Sequence, residues 1–105
     1  MKVLFDHSVP RPLRRLLSEH DIQTAREMHW ETLSNGALIA HAEAIFDVFI
    51  TADQNLLYQQ NLSRRKLSIL VLPTNKWSEI RLRATEIGAA IKDLKPGTFK
   101  AILWR

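Results

Sequence analysis

Apolar side chains in this chain fall into short unbroken runs, separated by stretches in which they recur every three or four residues. Val3-Leu4-Phe5, Val48-Phe49-Ile50 with Thr51-Ala52, and the run 68–72 are of the first kind, and each has the length of one strand buried on both faces. Shorter apolar stretches at 22–24 and 99–103 read as further strands. Leu13, Leu16 and Leu17 recur at helical spacing and predict a helix over 12–19 with Arg14, Arg15 and Glu19 outward. Ser34 is placed to cap a second helix, whose buried stripe is Leu38, Ile39, Ala42 and Ile45 and which Phe46-Asp47 closes. Trp77, Ile80, Ala84, Ile87, Ile91 and Leu94 alternate spacings of three and four, so 76–94 is the longest predicted helix, ended by Pro96-Gly97. Met28, Trp30 and Leu33 lack a period and read as apolar plugs of a loop over 25–33.

The resulting order, β-α-β-α-β-(α)-β-α-β, places the chain in the α/β class with a mainly parallel sheet and helices on both faces. Its 105 residues suit a single domain, 1–105. No apolar stretch approaches the roughly 20 residues of a membrane span, and the first residues lack the basic-then-apolar pattern of a secretory signal, so a soluble, cytoplasmic protein without a membrane partner is expected. Absence of cysteine excludes disulfides and thiolate-held metals.

Lysine and arginine number 15 against 11 acids, a net charge of +4 that suits an anionic partner. The cations gather in short clusters, Arg11 with Arg14-Arg15, Arg64-Arg65-Lys66, and Arg81 with Arg83. Each cluster reads first as a solvated helix face, with contact to a phosphate backbone as the alternative.

Two of the strand runs end in an aspartate, Asp6 and Asp53. In parallel sheets ligands bind beyond the carboxyl ends of the strands, where both carboxylates would lie, and two such acids suit Mg²⁺ or Mn²⁺ acting on a phosphodiester. Either aspartate alone reads equally as a helix N-cap after its strand. Asn35 and Asn55 lie near the expected cleft and offer amide oxygens to a metal-bound water. Thr51 and Gln54 would shape the pocket or touch a nucleic-acid strand, and Glu43 is a possible further acid. The 53–62 stretch is dense in amides, which favour caps and turns over regular elements. His7, beside Asp6, is a candidate proton-transfer group, whereas Trp77 reads as core.

With these residues in hand, the chain resembles the PIN-like family, small bacterial proteins related to VapC-type toxins and to Mut7-C nuclease-like domains. The resemblance rests on Leu4-Phe5-Asp6-His7-Ser8-Val9-Pro10, Ser34-Asn35-Gly36, Phe46 through Leu56 with its Thr-Ala-Asp-Gln-Asn-Leu run, Tyr58-Gln59-Gln60-Asn61-Leu62, and Val71 through Trp77. It implies a three-layer α/β/α domain and metal-dependent RNA cleavage, with Asp6 and Asp53 holding Mg²⁺ or Mn²⁺ and Asn35 and Asn55 completing the catalytic set. Arg11, Arg14, Thr51, Gln54, Arg64, Arg65 and Lys66 would face the RNA. A small antitoxin protein is the implied partner, and a homodimer through the Trp77 helix or the final strand is a further expectation. The chain departs from the family pattern at His7, Asn35 and Asn55, where relatives often carry acids. The competing reading is therefore a module that binds RNA or a partner protein through the same cleft without cleaving.

Overall fold

Strands β1 (Lys2–Phe5), β2 (Asp21–Thr24), β3 (Val48–Thr51), β4 (Ser68–Val71) and β5 (Phe99–Ala101) form one sheet in the order β2-β1-β3-β4-β5, with every neighbouring pair parallel. The structure is a computed structural model and describes residues 1–54 and 66–104. The chain is thus an α/β protein with a five-stranded, all-parallel sheet among the described residues.

The apolar runs become strands because both faces of the sheet are covered. Val3, Phe5, Val48, Ile50, Leu70 and Leu72 point to one face, where they meet Leu13, Leu17, Ile80, Ile87 and Ile91. The alternate residues Leu4, Phe49, Ile69 and Val71 point to the other, against Leu38, Ile39, Ala42 and Phe46. All four residues of β3 and of β4 are buried, as central parallel strands require. Met28, Trp30 and Leu33 plug the second face from the loop 25–33, as expected. Trp30 meets the Phe46 ring edge-on, with centroids 6.3 Å apart.

Among the described residues the helices are α1 (Leu13–Leu16), α2 (Asn35–Ala42), α3 (Trp77–Ile80) and α4 (Ala84–Asp93). Ser34 caps α2 as expected, its hydroxyl accepting the Ala37 N–H. Three expectations need correction. The first helix is one turn long, because only Leu13 and Leu17 are buried, Leu16 is exposed, and Leu17 leaves helical angles at φ −118° and ψ 39°. Ile45 lies beyond α2 and is exposed. The long 76–94 helix is interrupted at Arg81–Arg83 by a 3₁₀ turn that buries no side chain. Nothing apolar holds that turn to α geometry: Leu82 is 72 % exposed, and the Arg83 guanidinium lies 5.7 Å from the centre of the Trp104 ring.

The strand order reverses between β1 and β3. β1 is followed by β2 on one side, and the chain then returns to pair β3 on the other. In an open parallel sheet the loops that leave two such strands diverge above and below it, opening a crevice at their carboxyl ends. Asp6 and Asp53 leave the sheet there. No described helix is long and apolar enough to cross a membrane.

Candidate active site at the β1/β3 crevice

The parallel ladder runs past the end of β1: the Asp6 N–H donates to Ile50 O at 3.1 Å, which seats Asp6 beside Thr51. Both residues are buried, Asp6 at 2 % exposure and Thr51 at 0 %. A buried carboxylate needs donors on its oxygens. Oδ1 accepts the Ser8 N–H at 2.9 Å and the Ser8 hydroxyl at 2.5 Å, the two-residue reach-back common for aspartate in a turn. Oδ2 accepts the Thr51 hydroxyl.

Each hydroxyl has one proton, and here both protons go to Asp6, so both oxygens are left to accept. Ser8 Oγ accepts the Ala52 N–H at 2.9 Å, and Thr51 Oγ1 accepts the Asp53 N–H at 3.0 Å. Two hydroxyls thereby tie the loop after β1 to the loop after β3. Asp53, the second acid, is held by its backbone to the same oxygen that bonds the first. Gln54 continues the bracing: its side-chain amide donates to Leu72 O at 2.5 Å and to Ala52 O at 3.3 Å, joining the carboxyl ends of β3 and β4.

Burial pushes the Asp6 carboxyl above its ordinary value. The hydrogen bonds from Ser8 and Thr51 and the charge of His7 act in the opposite sense without cancelling it. Of the four sites that two carboxylate oxygens offer, Oδ1 has filled its pair and Oδ2 has accepted one donor among the described residues. Mg²⁺ and Mn²⁺ are commonly anchored by one or two carboxylates, with water and substrate phosphate completing the shell. A donor set of Asp6 and Asp53 fits that chemistry. Among the described residues no three His, Cys, Asp or Glu side chains gather into a metal-holding group.

On the β2 side of Asp6, the turn after β2 builds the neighbouring wall. Thr24 and Glu27 bond reciprocally, the Thr24 N–H donating to Glu27 Oε1 at 2.9 Å and the Glu27 N–H to Thr24 Oγ1 at 3.1 Å, in the manner of a capping box. Arg14 completes the cluster, its Nη1 lying 2.5 Å from Glu27 Oε1. This bond, with that from the Thr24 N–H, holds the Glu27 carboxyl below its ordinary range. Arg14 is therefore engaged by an acid, whereas Arg11 and Arg26 have no side-chain partner among the described residues.

The structure brings together Asp6, Thr51, Asp53 and Gln54 at the carboxyl edge, with Arg11 in the loop after β1. Thr51, expected to contact a strand, is buried and instead positions the two acids. Asn35 begins α2, at the carboxyl edge where a crossover helix starts. Lys66 does not join the group: it precedes β4 at the amino edge, where its N–H donates to Glu43 Oε1 at 3.3 Å. Glu43 caps the far end of α2 and is placed at that same edge, away from both aspartates. Asn55, Arg64 and Arg65 lie outside the described residues.

Ser8 and Arg26 were not singled out in the sequence. The Asp-x-Ser spacing is a usable signal for Ser8, since that turn returns a hydroxyl and an amide to the aspartate. Arg26 has no such signal, because its place depends on β2 pairing beside β1. Comparison of the chain with family models, with curated proteins and with solved structures gave no match.

Proposed function

We propose that the β1/β3 crevice is the active site of a metal-dependent endoribonuclease of PIN-like type, built on a three-layer α/β/α arrangement. The observation that carries the reading is the Thr51 hydroxyl, which bonds the carboxylate of Asp6 and the backbone of Asp53 at the switch point of a parallel sheet. Asp6 and Asp53 would hold Mg²⁺ or Mn²⁺, which when bound supplies charge neutralisation at the phosphate and an acidified water. The chain's own residues do the rest. Thr51 and Ser8 fix the Asp6 carboxylate as an acceptor, and Gln54 braces the loop carrying Asp53. Arg11 draws the phosphate backbone to this edge.

The resemblance to VapC-type toxins adds a small antitoxin protein as partner, a homodimer as the assembled form and the cytoplasm as the compartment. The direct test is cleavage of single-stranded RNA by the purified protein with Mg²⁺ or Mn²⁺. The expected result is metal-dependent cleavage that chelation and Asp53→Ala each abolish; wild-type rates in Asp53→Ala overturn the assignment.

A second reading has its own observation. Three donors already satisfy the Asp6 carboxylate, an arrangement that also suits a structural acid beneath a binding surface. On that reading RNA or a partner protein binds with no added metal, and Asp6→Asn leaves binding intact.

A further inference from the structure

A cavity of about 160 Å³ opens on the other side of Asp6 from Asp53. Asp6, His7, Val9 and Arg11 border it from the loop after β1, and Thr24 and Arg26 from the turn after β2. Two exposed arginines, Arg11 and Arg26, are among its lining residues. Arg14, one helical turn from Arg11, is neutralised by Glu27, and that pairing leaves no carboxylate on Arg11 or Arg26 among the described residues. Neither arginine pairs with Asp6, whose partners are the Ser8 and Thr51 donors. An arginine fork matches phosphate oxygens in geometry as well as in charge. Positive surface also continues outward from the cavity, since Arg11 borders a shallow depression over α1 together with Pro12, Arg14 and Arg15.

We propose that this cavity is a phosphate subsite for single-stranded RNA: Arg11 and Arg26 clamp a backbone phosphate next to the one presented to Asp6 and Asp53, so that the strand crosses the carboxyl edge from the β3 side to the β2 side and leaves over α1. The inference rests on the reading of this edge as an RNA site. It adds which side the strand leaves by and assigns a residue, Arg26, to holding it. Val9 and Ala25 form the apolar part of the lining.

The test uses binding in the presence of a chelator, so that no cleavage enters the readout. Fluorescence anisotropy with a labelled single-stranded oligoribonucleotide is measured over a range of salt for wild type, Arg11→Gln, Arg26→Gln and, as a control at an exposed position of α4, Lys92→Gln. Each arginine variant is expected to weaken binding about tenfold and to lower the salt slope by about 0.7, one phosphate contact on a single strand. Lys92→Gln should do neither. Wild-type affinity and slope in both arginine variants, with thermal melts unchanged, overturn the subsite. Inorganic phosphate, followed by amide shifts at Thr24 and Ala25, separates a strand site from a free-anion site. Weak phosphate shifts that Arg26→Gln removes support the clamp, and phosphate binding as tight as the oligonucleotide's overturns the assignment to a strand. Arginine-dependent binding without any metal-dependent cleavage leaves the subsite standing and removes the nuclease reading. Cleavage indifferent to both arginines does the reverse.

Discussion

Thr51, at the end of β3, gives its hydroxyl proton to the buried carboxylate of Asp6, at the end of β1. That bond leaves Thr51 Oγ1 free to accept the Asp53 N–H, so one hydroxyl sets the relation between two acids 47 positions apart in sequence. Most of the chemistry assigned to this edge follows from that pairing.

Thr51→Val keeps the shape of the side chain and removes the hydroxyl. Asp6 Oδ2 then loses its donor and the Asp53 N–H its acceptor, beside a carboxylate that is only 2 % exposed. The expected loss is about 1–3 kcal/mol of unfolding free energy in urea denaturation. Affinity for Mn²⁺ should fall by about 10–100-fold, as when an outer partner of a metal ligand is removed. Thr51→Ser should recover most of both quantities. Equal behaviour of the Val and Ser variants would contradict the role given to the hydroxyl.

The raised pKa of Asp6 fixes the sign of a pH effect. The folded chain keeps the Asp6 proton to higher pH than the unfolded chain, so the carboxyl's contribution to stability is full below the ordinary carboxylate value and is lost as pH rises through the folded-state pKa. Asp6→Asn carries no charge at any pH. Its stability relative to wild type should therefore rise from below about pH 4 toward neutrality. Paired denaturant titrations across that window check this, and a relative stability falling with pH would contradict it.

Packing gives a sharper contrast. Phe49 is wholly buried in β3, whereas Leu82 is 72 % exposed in the 3₁₀ turn. Phe49→Ala should cost about 3–5 kcal/mol. Leu82→Ala should stay within about 0.5 kcal/mol. Chemical denaturation of the two variants side by side measures both.

His20 supplies a prediction of the opposite sign. Both ring nitrogens are buried without a hydrogen-bond partner among the described residues, and the Glu19 carboxylate lies 3.6 Å from Nε2, beyond hydrogen-bond contact. Replacing the ring with an apolar side chain removes that unmet demand. His20→Leu is expected to raise unfolding free energy by about 1 kcal/mol. A loss of stability would show that the ring earns its place by packing.

How far the sequence reaches can be traced residue by residue. The β3 and β4 runs are legible because a parallel strand buried on both faces needs consecutive apolar residues, and little else in a short chain does. Asp6 and Asp53 are legible for the same reason, as the first acids beyond such runs. Leu16 and Ile45 mislead because spacing reports where a side chain would point in a helix, and not whether anything lies opposite to cover it. Arg83 leaves helical angles where the turn buries nothing, a circumstance that no local pattern encodes. The Ser8–Ala52 and Thr51–Asp53 bonds depend on β1 lying beside β3, and the cavity lined by Arg11 and Arg26 depends on β2 lying on β1's other side. These are properties of strand order, which the alternation of elements leaves open.

The central claim is that Asp6 and Asp53 act as one divalent-ion site. Calorimetric titration of Mn²⁺ into wild type, Asp6→Asn, Asp53→Asn and the double variant tests it most directly. The account expects one ion per wild-type chain, lost in either single variant, with no further loss in the double variant. Binding that survives both single substitutions, or that falls in two independent additive steps, would contradict it.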